Sequence, residues 1–345
     1  MRDGATSTRR AAIDPGIDGG PMPYAVRIHE YGGPEVLRVE DVPVPSPGAG
    51  ELLVRQTAVG LNFIDTYHRT GLYPLPSLPA TLGREAAGTV EAVGDGVAGF
   101  RKGDRVGYPL FPGAYTDLRV LPADEAVQLP DGVDEATAAA SMLKGLTAWY
   151  LLRRTYPVSS GETILFHAAA GGVGSIAVQW AKSLGARVIG AVGSAGKAER
   201  ATALGCDAVV RTDDAGWVDA VRRFAGDAGL PVVYDSVGRD TFLGSLDCLA
   251  PRGTMVSFGN SSGPVDPFSP GLLASKGSLY LTRPTLVDYV RDPNEKREAA
   301  ADLFGRIANG SLRIDVGRRY PLRDAARAHE DLEARRTSGS TLLIP

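Results

Sequence analysis

The stretch Thr163-Ile-Leu-Phe-His-Ala-Ala-Ala-Gly-Gly-Val-Gly-Ser-Ile-Ala-Val-Gln-Trp-Ala-Lys-Ser-Leu-Gly185 decides the fold of this chain. Its apolar run, Thr163–Phe166, has the length and residue types of a buried strand. A glycine-rich turn follows and leads into a helix expected over Gly172–Leu184. Strand, tight turn and helix in that order present the free N–H groups of a helix N-terminus, where a pyrophosphate can be held. The positions i, i+2 and i+5 of a dinucleotide fingerprint are Ala169, Gly171 and Gly174. Gly171 lets a pyrophosphate approach the backbone, and Gly174 lets the helix close on the strand. Ala169 departs from the usual glycine, while Gly172 and Val173 complete the turn as further candidate contacts.

Downstream, strands and helices alternate. Strands are expected over Arg187–Ala191, Ala208–Val210, Pro231–Tyr234, Thr254–Ser257 and Ser278–Leu281. Helices are expected over Gly196–Leu204, Trp217–Phe224 and Thr241–Leu249. Alternation of this kind predicts an α/β fold with a doubly wound parallel sheet. Upstream, Tyr24 to Leu129 carries short strand signals punctuated by Gly and Pro, the pattern of an irregular β domain. Two helices are expected next, over Asp134–Met142 and Leu146–Arg154. After Pro284 come helices over Glu295–Ala308 and Arg323–Arg335 and a strand over Thr341–Ile344. These do not continue the nucleotide pattern and are expected to rejoin the first domain. The expected division is a disordered extension over 1–21, a β domain over 22–145 and 286–345, and a dinucleotide-binding Rossmann domain over 146–285.

The second nucleotide strand discriminates between dinucleotides. An NAD site usually ends this strand with a carboxylate for the ribose 2′-OH. Here Arg187-Val-Ile-Gly-Ala-Val runs into Gly193, Ser194 and Lys197 with no carboxylate. A hydroxyl and an ammonium suit a 2′-phosphate, so NADP is expected.

Composition narrows the class further. The 345 residues carry a net charge of −3, with no basic stripe of the kind nucleic acid or an anionic membrane attracts. No run of 18 apolar residues predicts a membrane helix. Two cysteines, Cys206 and Cys248, cannot build a disulfide framework and fit a reducing cytoplasm. The four histidines, His29, His68, His167 and His329, show no metal-ligand spacing, so no metal is expected.

Several longer strings carry a resemblance. They include Gly60-Leu-Asn-Phe-Ile-Asp-Thr-Tyr67, Gly71-Leu-Tyr-Pro, Leu82-Gly-Arg-Glu-Ala-Ala-Gly-Thr-Val-Glu-Ala-Val-Gly94 and Leu143-Lys-Gly-Leu-Thr-Ala-Trp-Tyr150. Tyr234-Asp-Ser-Val-Gly238, Ser257-Phe-Gly-Asn-Ser-Ser-Gly263 and Gly339-Ser-Thr-Leu-Leu-Ile-Pro345 belong with them. With the turn at Gly171–Gly174, these resemble the medium-chain dehydrogenase/reductase superfamily over residues 22–345. Within it they resemble the zinc-free NADPH:quinone oxidoreductases, the group that includes zeta-crystallin. The resemblance implies a GroES-like irregular β-barrel catalytic domain split around the Rossmann domain, with a cleft between them and a homodimer. It implies hydride transfer from NADPH to a small quinone without metal. Asn62 and Arg84 stand where zinc-dependent members carry Cys and His.

The resemblance also assigns roles. Asn62, Asp65, Tyr67 and Thr147 are the candidate catalytic residues: Asn62 to hold the nicotinamide amide or a quinone oxygen, Tyr67 to donate to the quinone, Asp65 to orient its neighbours or cap the helix. Cofactor contacts are assigned to Asn62, Thr147, Tyr150, Gly171, Gly172, Val173, Gly193, Ser194 and Lys197. After the later strands they continue with Arg211, Thr212, Ser236, Phe258, Gly259, Asn260, Ser261, Leu281, Thr282 and Arg283, and finally Arg335. Thr212 stands where relatives place a Tyr near the 2′-phosphate, with Arg211 beside it to compensate. Lys144 is expected to be a solvated lysine at a helix end. Two other activities compete: reduction of an activated C=C bond on the same scaffold, and a non-enzymatic RNA-binding or crystallin-like structural role. The acidic net charge weighs against RNA.

Overall fold

A computed structural model describes residues 22–345, and the expected disordered extension over 1–21 lies outside the described residues. The nucleotide region forms one six-stranded sheet. Its order is Ala208–Arg211, Arg187–Val192, Thr163–His167, Leu230–Asp235, Leu249–Ser257 and Tyr280–Thr282, with every neighbouring pair parallel. In sequence ranks this is 3-2-1-4-5-6, the doubly wound order. Strand alternation builds both faces. Ile164, Phe166, Val188, Val232, Tyr234 and Val256 enter one core, while Leu165, Ile189, Ala191, Val233 and Met255 enter the other.

Before and after this sheet the chain builds a seven-stranded sheet and a three-stranded one. Strand Glu51–Leu61 is central. It pairs with Glu85–Val93, with Leu118–Pro122 and with Ser340–Ile344, all antiparallel. Val316–Pro321 lies parallel to Ser340–Ile344, so residues after 284 do enter the sheet of the first domain. A separate core of Val26, Ile28, Val54, Val59, Tyr108, Tyr115 and Leu343 fills this region.

Three sequence expectations are corrected. The two helices expected on either side of residue 144 are one, Glu135–Tyr150, which ends in a π-turn over Leu151–Thr155. Gly145 is a packing position and not a break: a Cβ there would meet Leu303 of helix Pro293–Ala308 at 2.5 Å. This helix therefore runs across the expected domain boundary at 145/146. Lys144, expected to be solvated, lies in mid-helix and is only 4% exposed. The last helix is Ala325–Glu333, so Arg335 lies beyond it, in the left-handed region at φ 59°.

Candidate active site

The nucleotide turn is built by close approach. A Cβ on Gly174 would run into the Ala168 carbonyl oxygen and stand 2.8 Å from Ala169 Cα. Only glycine lets helix Gly172–Ser183 start this near the end of strand Thr163–His167. Gly171 caps this helix with extended backbone and no side chain, which leaves the N–H groups of Gly172, Val173 and Gly174 for a ligand. Ala168 makes the turn at φ 51°, beside the imperfect fingerprint position Ala169.

At the end of the second strand Gly193 is exposed, and Ser194 starts helix Ala195–Ala203 without spending its hydroxyl on a cap bond. Lys197 is half-buried and its ammonium donates to the Arg335 carbonyl at 3.3 Å. Burial, and then the Arg335 charge, push the Lys197 ammonium below its usual pKa. An anion bound beside Lys197 would relieve both costs. Arg211 is engaged elsewhere: its guanidinium holds Asp213 at 3.0 and 2.6 Å. Thr212 is turned back onto the Val192 carbonyl at 3.3 Å.

The opposing wall is helix Phe63–Arg69. Asn62 precedes it, and Asp65 Oδ2 accepts from the Asn62 backbone N at 2.9 Å. The Asn62 side-chain amide donates to Glu85 Oε1 at 2.8 Å. Glu85 lies fully buried and also accepts from Leu143 N at 2.7 Å and from Lys144 Nζ at 2.6 Å. Gly60 stands opposite Glu85 in the sheet, and a Cβ there would strike the carboxylate. The Lys144 stem lies 3.0 Å from where a Gly172 Cβ would sit. One buried ion pair thus joins Asn62 to the nucleotide turn. The sequence alone suggests no role for Glu85, and it misplaces Lys144.

The loops after the fourth and fifth nucleotide strands close onto this helix. Gly259 presses against Ser236, 2.5 Å from a notional Cβ to its carbonyl oxygen, and Ser261 N donates to the same oxygen at 3.2 Å. Asn260 N donates to the Tyr67 hydroxyl at 3.0 Å, which leaves the Tyr67 proton for another acceptor. Tyr73 is a further member that the sequence does not single out, although Gly71-Leu-Tyr-Pro holds it. Its hydroxyl accepts from Asn260 Nδ2 at 3.3 Å and from Arg283 Nη2 at 3.1 Å. Arg283 also donates to the Ser257 carbonyl at 2.9 Å. A cavity of about 230 Å³ opens here, lined by Phe63, Thr66, Tyr67, Asn260, Ser261 and Glu333 among others. A larger depression of about 390 Å³, along helix Pro293–Ala308, contains none of these groups.

The remaining candidates lie as follows. Thr147 donates its hydroxyl to the Leu143 carbonyl at 2.7 Å. Tyr150 is buried and stacked on Tyr289 at 4.5 Å between ring centroids. Phe258 is half-buried against Phe166, 5.7 Å between centroids. Leu281 and Thr282 lie on the edge strand, and Leu281 is exposed. Arg84 donates to His68 Nε2 at 2.8 Å and to the Leu110 carbonyl at 3.1 Å, and His68 Nδ1 meets the Tyr73 carbonyl at 2.9 Å. Arg84 thereby supports Tyr73 through His68. Among the described residues no three His, Cys, Asp or Glu side chains group as a metal site.

Residues 48–131 match the alcohol dehydrogenase GroES-like domain family, and residues 172–304 match the zinc-binding dehydrogenase family. A quinone oxidoreductase of Pseudomonas aeruginosa is 53% identical over 94% of this chain and 100% of its own length. The crystal structure of Escherichia coli quinone oxidoreductase complexed with NADPH superposes with a TM-score of 0.92 at 51% identity, covering 93% of this chain and 100% of that one. A 2-haloacrylate reductase of a Burkholderia species is 44% identical over 94% of this chain and 99% of its own. On this likeness, which runs through both the nucleotide turn and the opposing helix, the chain belongs to the quinone oxidoreductase family of the medium-chain dehydrogenase/reductase superfamily.

Proposed function

We propose that this protein is an NADPH:quinone oxidoreductase that passes hydride to a small quinone held between helix Phe63–Arg69 and the Asn260 loop. The observation that carries the reading is the meeting of two halves: a nucleotide-type sheet with an uncapped helix N-terminus after its first strand and Lys197 joined to Arg335 after its second, and a cleft whose Tyr67 hydroxyl keeps its proton free. The residues fit NADPH. Gly171–Gly174 admit a pyrophosphate, and Ser194, Lys197 and Arg335 answer a 2′-phosphate with no carboxylate to repel it. When bound, NADPH supplies the hydride.

The chain's own residues do the rest. Tyr67 and Tyr73 each accept hydrogen bonds from the nucleotide domain, so each directs its own proton to a substrate oxygen that gains charge. Glu85 holds Asn62 in place, and Lys144 holds Glu85. The functional domains we assign keep the division into 22–145 with 286–345 and 146–285, with helix Glu135–Tyr150 shared between them as the connection that spans the boundary. A homodimer is supported by the edge strand Tyr280–Thr282, which leaves Tyr280 64% exposed beside Leu281. Two unpaired buried cysteines support a cytoplasmic setting, and among the described residues no helix is long and apolar enough to cross a membrane.

The deciding experiment is steady-state oxidation of NADPH and NADH with benzoquinone and with a simple enone. Fast turnover of the quinone with NADPH is expected. Turnover of the enone alone would favour the second reading, reduction of an activated C=C bond, which the likeness to 2-haloacrylate reductase supports. Failure to bind either reduced nucleotide would remove both.

A further inference from the structure

Behind helix Phe63–Arg69 runs a buried chain of side chains that the functional reading leaves unused. Arg69 Nη1 meets His329 Nδ1 at 3.0 Å, His329 Nε2 meets Tyr115 Oη at 2.9 Å, and Tyr115 Oη meets Asp65 Oδ2 at 3.1 Å. Arg69 is closed off on its far side by Glu333, at 2.7 and 2.8 Å. Arg69, Tyr115, His329 and Asp65 are all 1% exposed or less.

Arginine fixes the direction of every proton in this chain. A guanidinium only donates, so His329 Nδ1 must be a bare acceptor. A ring with a bare Nδ1 is neutral and carries its proton on Nε2. That Nε2–H donates to the Tyr115 oxygen. Tyr115 is then left with one proton and one partner for it, Asp65 Oδ2. The second oxygen, Asp65 Oδ1, has no hydrogen-bond partner. A buried carboxylate with a bare oxygen is an unsolvated charge, and protonation at Oδ1 removes the charge while leaving that oxygen unpartnered.

We infer that Tyr115 and His329 are positioning residues that set the protonation of Asp65, and that neutral Asp65 is the working form of the site. Asp65 stands in the same turn as Asn62 and Tyr67, and its Oδ2 holds the Asn62 backbone. An acceptor that takes up hydride gains negative charge in the cleft. A buried carboxylate in that turn opposes the charge, and a neutral acid does not. Other groups act on Asp65 from each side. Glu85 favours the neutral acid, Arg84 favours the anion, and the Asn62 N–H and the Tyr115 hydroxyl both stabilise the anion. Burial outweighs them and lifts the Asp65 carboxyl to about 7, so the relay holds it poised at neutrality and not far above. Burial, and then the Arg84 charge, push the imidazole of His68, on the same helix, below its usual pKa.

This inference rests on the hydride-transfer reading, and two measurements separate them. The first is NMR of carboxyl-¹³C-labelled aspartate in the intact protein, with the Asp65 signal assigned by its loss in Asp65→Asn. The second is the pH profile of kcat/KM for benzoquinone with NADPH. Wild type is expected to titrate near neutrality in both, with activity falling on the alkaline side. Tyr115→Phe removes a donor to the anion, so both midpoints are expected to rise by roughly one pH unit. Asp65→Asn is expected to lose the alkaline fall, which keeps the test open if Tyr115→Phe does not fold. An NMR midpoint unmoved by Tyr115→Phe overturns the inference. So does a moved NMR midpoint with an unmoved activity profile, or an alkaline fall that survives in Asp65→Asn. A protein that turns over no quinone at any pH while its Asp65 signal shifts as expected would defeat the functional reading and leave the relay standing.

Discussion

The cation pair Lys197 and Arg335 is expected to separate NADPH from NADH. Charge-assisted contacts of this kind are worth about 1.5–3 kcal/mol. Arg335→Ala is therefore expected to raise KM for NADPH on the order of tenfold or more, with little change for NADH; initial-rate kinetics with both nucleotides checks it. Equal loss with both would remove the anion site. Glu85 and Lys144 give a second expectation. Glu85→Gln strands a buried ammonium, and breaking such a pair costs about 3–5 kcal/mol. A lower Tm and weaker turnover are expected, with stability recovered in Glu85→Gln combined with Lys144→Met. Thermal denaturation of the three variants tests this.

Secondary-structure elements differ in how plainly the sequence announces them. The turn at Gly171–Gly174 is legible because its requirements are local: a strand, glycine at two of the three fingerprint positions and a helix within 23 residues. The parallel doubly wound sheet follows from alternation, since parallel strands need crossover helices, while its strand order is seen only in the fold. Helix Glu135–Tyr150 reads as two because an interior glycine resembles a break until Leu303 is seen to occupy its place. Lys144 misleads for the same reason, because the helix end that would solvate it does not exist. Tyr73, Tyr115 and His329 carry no sequence signal of their role. Their partners lie 187 residues away for Tyr73 with Asn260, and 214 for Tyr115 with His329. No pattern of spacing specifies such pairings. At this scale Gly174→Ala is the decisive substitution. Its Cβ meets backbone atoms that cannot swing aside, so helix and strand must separate. Loss of NADPH binding and a Tm lowered by several degrees are expected, read by nucleotide fluorescence titration and calorimetry.

The molecule as a whole responds to pH through buried groups that oppose one another. Burial, helped by Arg69, pushes His329 down to about 3. The unfolded chain takes a proton there near 6.5, so this stability is complete above that value and drains as pH falls towards 3. Asp65 runs the other way. Its folded value of about 7 lies above the ordinary 3.8, so its contribution is complete at low pH and drains as pH rises from about 4 through 7. Each group contributes a slope of at most about 1.4 kcal/mol per pH unit. His329→Gln is expected to flatten the acid side of the stability profile, and Asp65→Asn the neutral side. Urea midpoints across the pH range check both. The proposed dimer belongs to this scale too: Tyr280→Lys on the exposed edge strand is expected to shift the mass measured by light scattering towards the monomer.

Strand Ser340–Ile344 pairs with Val59, Gly60 and Leu61, immediately ahead of Asn62. Ribosomes deliver a chain from its N-terminus. All six strands of the nucleotide sheet have been made once Thr282 is synthesised, whereas the sheet beneath Asn62 still lacks a neighbour along that edge. Nascent protein therefore passes through an interval in which one half is assembled and the other waits for a late-arriving piece. Chaperone dependence should concentrate in that interval.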